Sequence, residues 1–130
     1  MQAAKLRIIC NIEQHANLPY RSIVLNQIEG EIVSGQRVVV IEDLISTGKS
    51  SLKAVHALRA ADCNVVGLVS IFTYGFAEAE ANFAEAKCRH LSLCNYNDLL
   101  EVAAKHNYIL GSDIEMLEQW RANPAEWLPQ

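Results

Sequence analysis

The sequence has few of the features that mark a disulfide-rich or zinc-binding protein. Its 130 residues include only four cysteines and four histidines, and both types are dispersed along the chain. No C-x-x-C pair occurs, which argues against a structural zinc site and against a disulfide framework. We therefore expect free thiols that are buried or half-buried, and no zinc or other metal-ligand set. The cysteines are Cys10, Cys63, Cys88 and Cys94.

Long apolar runs and a strong excess of one charge are also missing. No run reaches the roughly 18 to 20 residues that span a membrane, and the N-terminus lacks the pattern of a signal peptide. The formal net charge of −4 is scattered, so a polyanion such as nucleic acid is not a favoured partner. With 51% hydrophobic residues the chain can form a core. We expect a single domain over residues 1–130, soluble and cytoplasmic, with no membrane or nucleic-acid partner.

Apolar runs alternate with amphipathic segments, which predicts an α/β fold with a parallel sheet flanked by helices. Residues 36–41 are mostly β-branched, as expected for a strand buried on both faces. Residues 49–61 have helical apolar spacing, and the hydroxyls of Ser46, Thr47 and Ser50 are available to its first N–H groups. The other predicted elements are strands at 6–12, 20–25, 65–72 and 89–93 and helices at 77–87, 96–105 and 112–121, the last with a capping box of Ser112 and Glu115.

Residues 37–51 are the most informative stretch. An apolar strand is expected to end at Glu42 and Asp43, followed by a Ser46-Thr47-Gly48 loop and a helix. In parallel α/β sheets ligands bind beyond the carboxyl ends of the strands. Carboxylates accept hydrogen bonds from vicinal hydroxyls, and N–H groups at a helix N-terminus hold phosphate. The stretch therefore predicts a site for a ligand with sugar hydroxyls and a phosphate.

The ending Gly48-Lys49-Ser50 also suggests a nucleotide-binding P-loop, which requires G-x-x-x-x-G-K-[ST]. The first glycine of that motif would fall at position 43, where this chain has Asp43. A carboxylate there would direct negative charge at the bound phosphates, so a P-loop NTPase is disfavoured.

Residues 38–51 resemble the phosphoribosyl-pyrophosphate (PRPP) motif of type I phosphoribosyltransferases. The Ile-Phe-Thr-Tyr-Gly-Phe segment at 71–76 and the tail at 95–103 and 120–127 resemble the orotate phosphoribosyltransferase family more closely. The resemblance runs from about residue 26 to the C-terminus. It implies a type I phosphoribosyltransferase-like sheet and the conversion of orotate and PRPP to orotidine 5′-phosphate and pyrophosphate. It also implies Mg²⁺ as a cofactor and a homodimer.

The resemblance assigns roles to individual residues. Glu42 and Asp43 are implied as the catalytic pair that meets the ribose 2′- and 3′-hydroxyls. Ser46 and Tyr74 are implied beside the orotate ring, although other branches of the family place an orotate-binding arginine near the position of Tyr74. The implied PRPP-binding residues are Glu42, Asp43, Leu44, Ile45, Ser46, Thr47, Gly48, Lys49 and Ser50.

Several nearby side chains receive simpler interpretations. Lys49 is a variable position of the motif, and we expect its side chain to face solvent rather than the phosphate. Phe72 and Phe76 are expected in the core. Trp120 and Trp127 are expected to pack against the body of the protein or a partner subunit, and His56 is expected at the surface.

The resemblance is weak before residue 26, and a mobile loop rich in lysine is expected to be absent. In the family that loop separates a Tyr-x-Arg-like strand from Asn-Gln-Ile-Glu-Gly, whereas here residues 19–25 lead directly into residues 26–30. Departing pyrophosphate needs cations aimed at it, and only Arg21 lies nearby in sequence. Two hypotheses stay open: a shortened enzyme, or a non-catalytic PRPP- or nucleotide-binding or regulatory relative. Transfer to a different base is disfavoured by residues 72–74 and the tail.

Overall fold

The computed structural model describes residues 6–10 and 32–127 of the chain. The strands in this part form one parallel sheet in the order β1-β2-β3-β4, and helices connect β2 to β3 and β3 to β4. The α/β prediction is therefore confirmed, while the strand predicted at 20–25 lies outside the described residues. The elements are β1 (Leu6–Cys10), β2 (Arg37–Ile45), α1 (Lys49–Ala60), β3 (Asn64–Thr73), α2 (Ala77–Glu85), β4 (His90–Asn95), α3 (Tyr96–Lys105) and α4 (Asp113–Ala122).

The core lies on one side of the sheet, beneath α1 and α2. Alternate β2 residues Val38 and Val40 are fully buried there, as the two-residue period of a strand requires. Helix α1 buries one stripe of apolar side chains against them, and α2 adds Phe83. Each such side chain contributes roughly 1.5–3 kcal/mol by leaving water. The stripe on α1 consists of Leu52, Val55 and Leu58.

Strand β2 differs from its prediction in two ways. It does not end at Glu42, because pairing with β3 continues through Leu44 opposite Phe72 and Ile45 opposite Thr73. It is also not buried on both faces, since Val39 and Ile41 are only half-buried. Both helices pack on the opposite side, where the core lies.

The second side of the sheet therefore presents apolar side chains to solvent in the described part of the chain. Ile71, Leu91 and Leu93 are 57%, 63% and 72% exposed.

Two helix caps also differ from the sequence-based expectation. The N-cap of α1 is Gly48, which has no side chain, so neither Ser46 nor Thr47 occupies the cap position. Ser112 precedes α4 with helical dihedral angles and makes no cap bond; the Asp113 carboxylate accepts from Leu110 N instead. Helix α3 has a true cap, because Asn95 accepts from the N–H of Asp98 at 3.1 Å.

Cys63, Cys88 and Cys94 are free thiols, while the side chain of Cys10 lies outside the described part. Cys63 and Cys88 are buried as predicted, whereas Cys94 is exposed because it lies on β4, the edge strand of the sheet. His56 is exposed, as expected. Among residues 6–10 and 32–127, no helix has both the length and the apolar character needed to cross a membrane.

Candidate functional site

The loop at residues 46–48 lies at the carboxyl end of β2, where the sequence predicts a phosphate site. It leads directly into α1, and the first helical hydrogen bond runs from Leu52 N to Gly48 O at 2.9 Å. Beside it, Tyr74 N donates to Ile45 O at 3.1 Å, so the end of β3 lies next to the end of β2. The two segments after these strands, 46–48 and 74–76, therefore share one edge of the sheet.

Helix α2 fixes the shape of this loop. Gly48 has a φ of 76°, in the left-handed region, and a Cβ on it would lie 2.7 Å from Cε2 of Phe83. Both the backbone and the space thus require glycine. Asn82 Nδ2 donates to Thr47 O at 2.8 Å, which satisfies a loop carbonyl that the helix leaves unpaired. The loop is a preformed turn, held by one hydrogen bond and one packed ring.

The start of α1 suits an anion. The first N–H groups of a helix have no acceptor within the helix, and the helix dipole adds partial positive charge there. Because the N-cap is Gly48, no cap side chain accepts from these groups. Ser46 is exposed and Thr47 is half-buried, so hydroxyls lie next to the same helix end. A phosphate group meets these requirements.

Glu42 and Asp43 occupy different environments, although they are adjacent. Successive side chains of a strand point to opposite sides, and Glu42, 5% exposed, lies on the core side with Val38 and Val40. Asp43 is exposed, and its Oδ1 accepts from Leu44 N at 2.7 Å. Of the two carboxylates, that of Asp43 is the one open to a ligand in this arrangement.

Lys49 is exposed at the first position of α1, as expected for a side chain that faces solvent. Its Nζ lies 2.5 Å from Oε1 of Glu78 in the first turn of α2. This ion pair is a third link between the loop region and α2, in addition to the Asn82 hydrogen bond and the Phe83 ring contact.

Five rings form a cluster at the end of β3, which we call the aromatic cluster. Tyr74 is at its centre, stacked on Phe76 with ring centroids 5.2 Å apart and edge-on to Trp120 of α4 at 5.7 Å. The expectation that Phe72 and Phe76 are core residues was wrong: both are half-buried members of this cluster, at the end of β3 and the start of α2, and neither is in the buried core. Trp120 packs against the body of the protein, as predicted. The members are Phe72, Tyr74, Phe76, Tyr96 and Trp120.

Arg121 lies next to the aromatic cluster, and no sequence pattern assigns it a role. A Cβ on Gly75 would lie 3.6 Å from its Nη1. Burial raises the pKa of the Tyr96 hydroxyl, the charge of Arg121 opposes that rise, and Tyr74 adds to it. No local pattern could have indicated this position, because α4 brings Arg121 to Gly75 from a distant part of the sequence. The one sequence feature that indicated packing in this part of α4 was the neighbouring Trp120, which was expected to pack against the body of the protein.

A metal site formed by protein side chains alone is not present in the described segments, since no three histidine, cysteine or acidic residues lie together there.

Comparison with known proteins agrees with these observations. Orotate phosphoribosyltransferase of Listeria monocytogenes is 54% identical over 102 residues, which cover 78% of this chain and 49% of the relative. The enzyme of the same name from Bacteroides fragilis is 52% identical over 102 residues, covering 78% of this chain and 48% of its own. The chain thus spans about half the length of the curated relatives that it matches.

Solved structures show the same fold. The structure of Leishmania donovani UMP synthase matches with a TM-score of 0.63 at 31% identity, over 78% of this chain and 23% of that one. Orotate phosphoribosyltransferase of Mycobacterium tuberculosis H37Rv, in complex with inorganic phosphate, matches with a TM-score of 0.56 at 31% identity, over 75% of this chain and 64% of that one.

The match to the family described as "Phosphoribosyl transferase domain" covers residues 12–98. That span includes the whole of β2, the 46–48 loop, α1 and β3, which are the elements that form the candidate site. The chain belongs to the phosphoribosyl transferase domain family.

Proposed function

We propose that this chain binds PRPP at the 46–48 loop and that the protein transfers ribose 5-phosphate from PRPP to orotate. The observation that carries the proposal is the loop itself. It is a preformed turn at the carboxyl edge of the sheet, it opens α1, and an exposed carboxylate, Asp43, precedes it. Relatives that are about 50% identical and named orotate phosphoribosyltransferase support the choice of base.

In this proposal the 5′-phosphate lies against the N-terminus of α1. Its oxygens accept from backbone N–H groups and from hydroxyls of the loop, and Lys49 adds positive charge at longer range. Asp43 accepts from the ribose hydroxyls. Glu42, whose side chain is buried on the core side of β2, enters the proposed set through the family resemblance. The proposed PRPP-binding set is Glu42, Asp43, Leu44, Ile45, Ser46, Thr47, Gly48, Lys49 and Ser50.

The proposed reaction needs little proton chemistry. Nitrogen N1 of orotate is acidic, and once it has lost its proton to solvent its electron pair forms the bond to C1 of the ribose. The bond from C1 to the pyrophosphate oxygen breaks, and its electron pair leaves with pyrophosphate. Rate enhancement then comes from positioning the reactants and from stabilising the charge on the leaving group.

Mg²⁺ fits this site as part of the substrate complex. Mg²⁺ is usually held by one or two carboxylates together with substrate phosphates, and not by a cage of protein ligands. Asp43 is an exposed carboxylate at the correct edge of the sheet. When bound, the ion would supply positive charge to the pyrophosphate group.

Calorimetric titration with PRPP in the presence of Mg²⁺ tests the binding step. We expect saturable binding that Asp43→Asn weakens at least ten-fold, and that Glu101→Gln, an exposed carboxylate on α3, leaves unchanged. No heat of binding at millimolar PRPP would remove the proposal.

Turnover is tested separately, by the loss of orotate absorbance on adding PRPP and Mg²⁺. The sequence between residues 19 and 30 favours the second candidate, a PRPP-binding or regulatory relative, because it lacks the lysine-rich loop. Saturable PRPP binding with no orotate consumption would select that candidate over the enzyme.

We also propose that the protein acts in the cytoplasm as a homodimer. Sedimentation equilibrium measures the mass of the particle, for which a single chain accounts for 14.5 kDa. A species of one chain at micromolar concentration would contradict the dimer.

A further inference from the structure

The guanidinium of Arg121 has a buried donor that is left unpaired in the described structure. Its Nε is buried without a hydrogen-bond partner, and neither of the ion pairs between described residues involves it. A buried donor left without an acceptor costs roughly 1–3 kcal/mol, more when it is charged. A group of this kind in a folded protein calls for an explanation, and an absent ligand is one.

The position of Arg121 connects it with the candidate site. Its Nη1 is 3.6 Å from where a Cβ on Gly75 would lie, and Gly75 follows Tyr74, which is hydrogen-bonded to Ile45 at the start of the 46–48 loop. Gly75 has a φ of 66°, which turns the chain sharply after β3. The guanidinium therefore lies at the same edge of the sheet as the proposed phosphate site.

Among the described residues, Arg121 lies beside aromatic side chains and is in no ion pair. Trp120 precedes Arg121 in α4. The positive charge of Arg121 acts on the hydroxyl of Tyr96, a buried member of the aromatic cluster. With no carboxylate paired to it in the described part of the chain, its positive charge is not neutralised. Flat rings beside an unpaired guanidinium complement a flat ligand that carries a carboxylate.

A purely structural role for Arg121 does not explain its buried, unpaired Nε. Arg121 lies in the last turn of α4, where a cation interacts favourably with the helix dipole. An exposed side chain would give the same benefit, so the dipole does not account for a buried Nε without a partner.

We propose that Arg121 recognises the carboxylate of the base, and so selects orotate over bases that lack one. This inference rests on the proposed function, and it assigns specificity to α4. The bidentate geometry of guanidinium and carboxylate would then satisfy the orphan donor only when the correct base is bound.

The test follows the ¹⁵N resonance of the Arg121 Nε–H group while orotate is added, with and without PRPP and Mg²⁺. Assignment comes from its loss in Arg121→Met. Orotate is expected to shift this resonance, whereas uracil, which lacks the carboxylate, and pyrophosphate are not. Affinity for orotate should fall at least ten-fold in Arg121→Met and less in Arg121→Lys, while affinity for PRPP stays within two-fold.

Arg89→Met is the matched control, because Arg89 is exposed and precedes β4 at the opposite, amino edge of the sheet. It should bind orotate like the unmodified chain. Thermal unfolding of each variant separates loss of binding from loss of fold, and Arg121→Lys keeps the test informative if Arg121→Met is unstable.

The inference would be overturned by equal orotate affinity in Arg121→Met, by equal affinity of the unmodified chain for uracil and orotate, or by the absence of an orotate-dependent shift in every sample. A shift caused by pyrophosphate alone would also overturn it. The PRPP titration of the same samples decides the proposed function independently. PRPP binding with an unresponsive Arg121 refutes only the inference.

Discussion

The 46–48 loop and the aromatic cluster lie side by side at one edge of the sheet, but they are held in place differently. The loop is fixed by two residues of α2, the helix that follows the neighbouring strand β3. Asn82 supplies a hydrogen bond, and Phe83 supplies a close ring contact. The cluster is completed by Trp120 of α4, near the end of the chain. The loop is thus built by neighbouring elements, and the cluster by a distant one.

This difference has a functional consequence under the proposed function. The ribose phosphate is common to all substrates of a phosphoribosyl transferase, and it meets a rigid loop. The base differs between enzymes, and it meets side chains from a separately packed helix. Variants that disturb only one region should therefore separate PRPP binding from orotate binding.

The largest expected effect comes from Gly48→Ala. The left-handed backbone and the 2.7 Å approach to Phe83 act together, and we expect a loss of roughly 3 kcal/mol in the free energy of unfolding. Urea denaturation measures it. Gly35→Ala is the matched control, because Gly35 has a similar φ of 74° and nothing within 4 Å of its Cβ, so it should lose only about 1 kcal/mol.

A double variant separates the two contributions. Phe83→Leu alone should destabilise, because Phe83 is a core residue, but Gly48→Ala should cost less in the Phe83→Leu background than in the unmodified chain, since the ring atoms that the new methyl group meets are gone. Equal losses for Gly48→Ala and Gly35→Ala would show that Phe83 does not fix the loop.

Trp120→Ala tests the other region. Removing a half-buried indole that contacts Tyr74, Phe76 and Tyr96 should lower the free energy of unfolding by roughly 2 kcal/mol. Orotate affinity should fall while PRPP affinity, measured by calorimetry, changes less than two-fold. Trp127→Ala is the control, because Trp127 is in none of the ring contacts of the cluster, and it should affect neither. A parallel loss of PRPP affinity in Trp120→Ala would contradict the separation of the two regions.

The same division decides how much could be read from the sequence. The parallel α/β class, the helices and the position of the 46–48 loop follow from apolar spacing and from hydroxyls and glycine after a strand, which are local patterns. The predicted end of β2 was wrong, because hydrogen-bonded pairing with β3 carries the strand past Glu42 and Asp43. Two adjacent polar residues after an apolar run favour a loop by local pattern. Only pairing with the neighbouring strand, which is a tertiary contact, shows that the strand continues.

Tertiary contacts account for the remaining differences. Gly48 is needed as the cap of α1 because Phe83 approaches it closely, and Ser112 makes no cap bond because its own backbone already has helical dihedral angles. The half-buried state of Phe72 and Phe76 depends on where α4 packs. Nothing in the local sequence around Arg121 shows that it reaches Gly75.

Asn82→Ala tests the polar link between α2 and the loop. Losing the hydrogen bond to Thr47 O should lower the free energy of unfolding by about 1 kcal/mol, since a part-buried carbonyl loses its donor. PRPP affinity should fall because the loop is less well ordered, and orotate affinity should not. Glu85→Ala, at an exposed position on the same helix, should leave both unchanged. Unchanged PRPP affinity in Asn82→Ala would show that the loop does not need this bond to bind phosphate.

The smallest effect on stability is expected from the ion pair between Lys49 and Glu78. Both side chains are at least half exposed, and pairs of this kind contribute roughly 0.2–1 kcal/mol, less at high salt. Glu78→Gln should therefore lower the free energy of unfolding by only a few tenths of a kcal/mol.

The effect of Glu78→Gln on PRPP binding is more informative, because the substitution removes the carboxylate that holds the Lys49 side chain away from the start of α1. If Lys49 supplies charge to the phosphate, Glu78→Gln should strengthen PRPP binding at low salt, Lys49→Met should weaken it, and both effects should fade above 0.5 M salt, where the Debye length is roughly 4 Å. Identical PRPP affinities for the two variants would leave the backbone and hydroxyls of the loop as its sole phosphate ligands, and would restrict Lys49 to its link with α2.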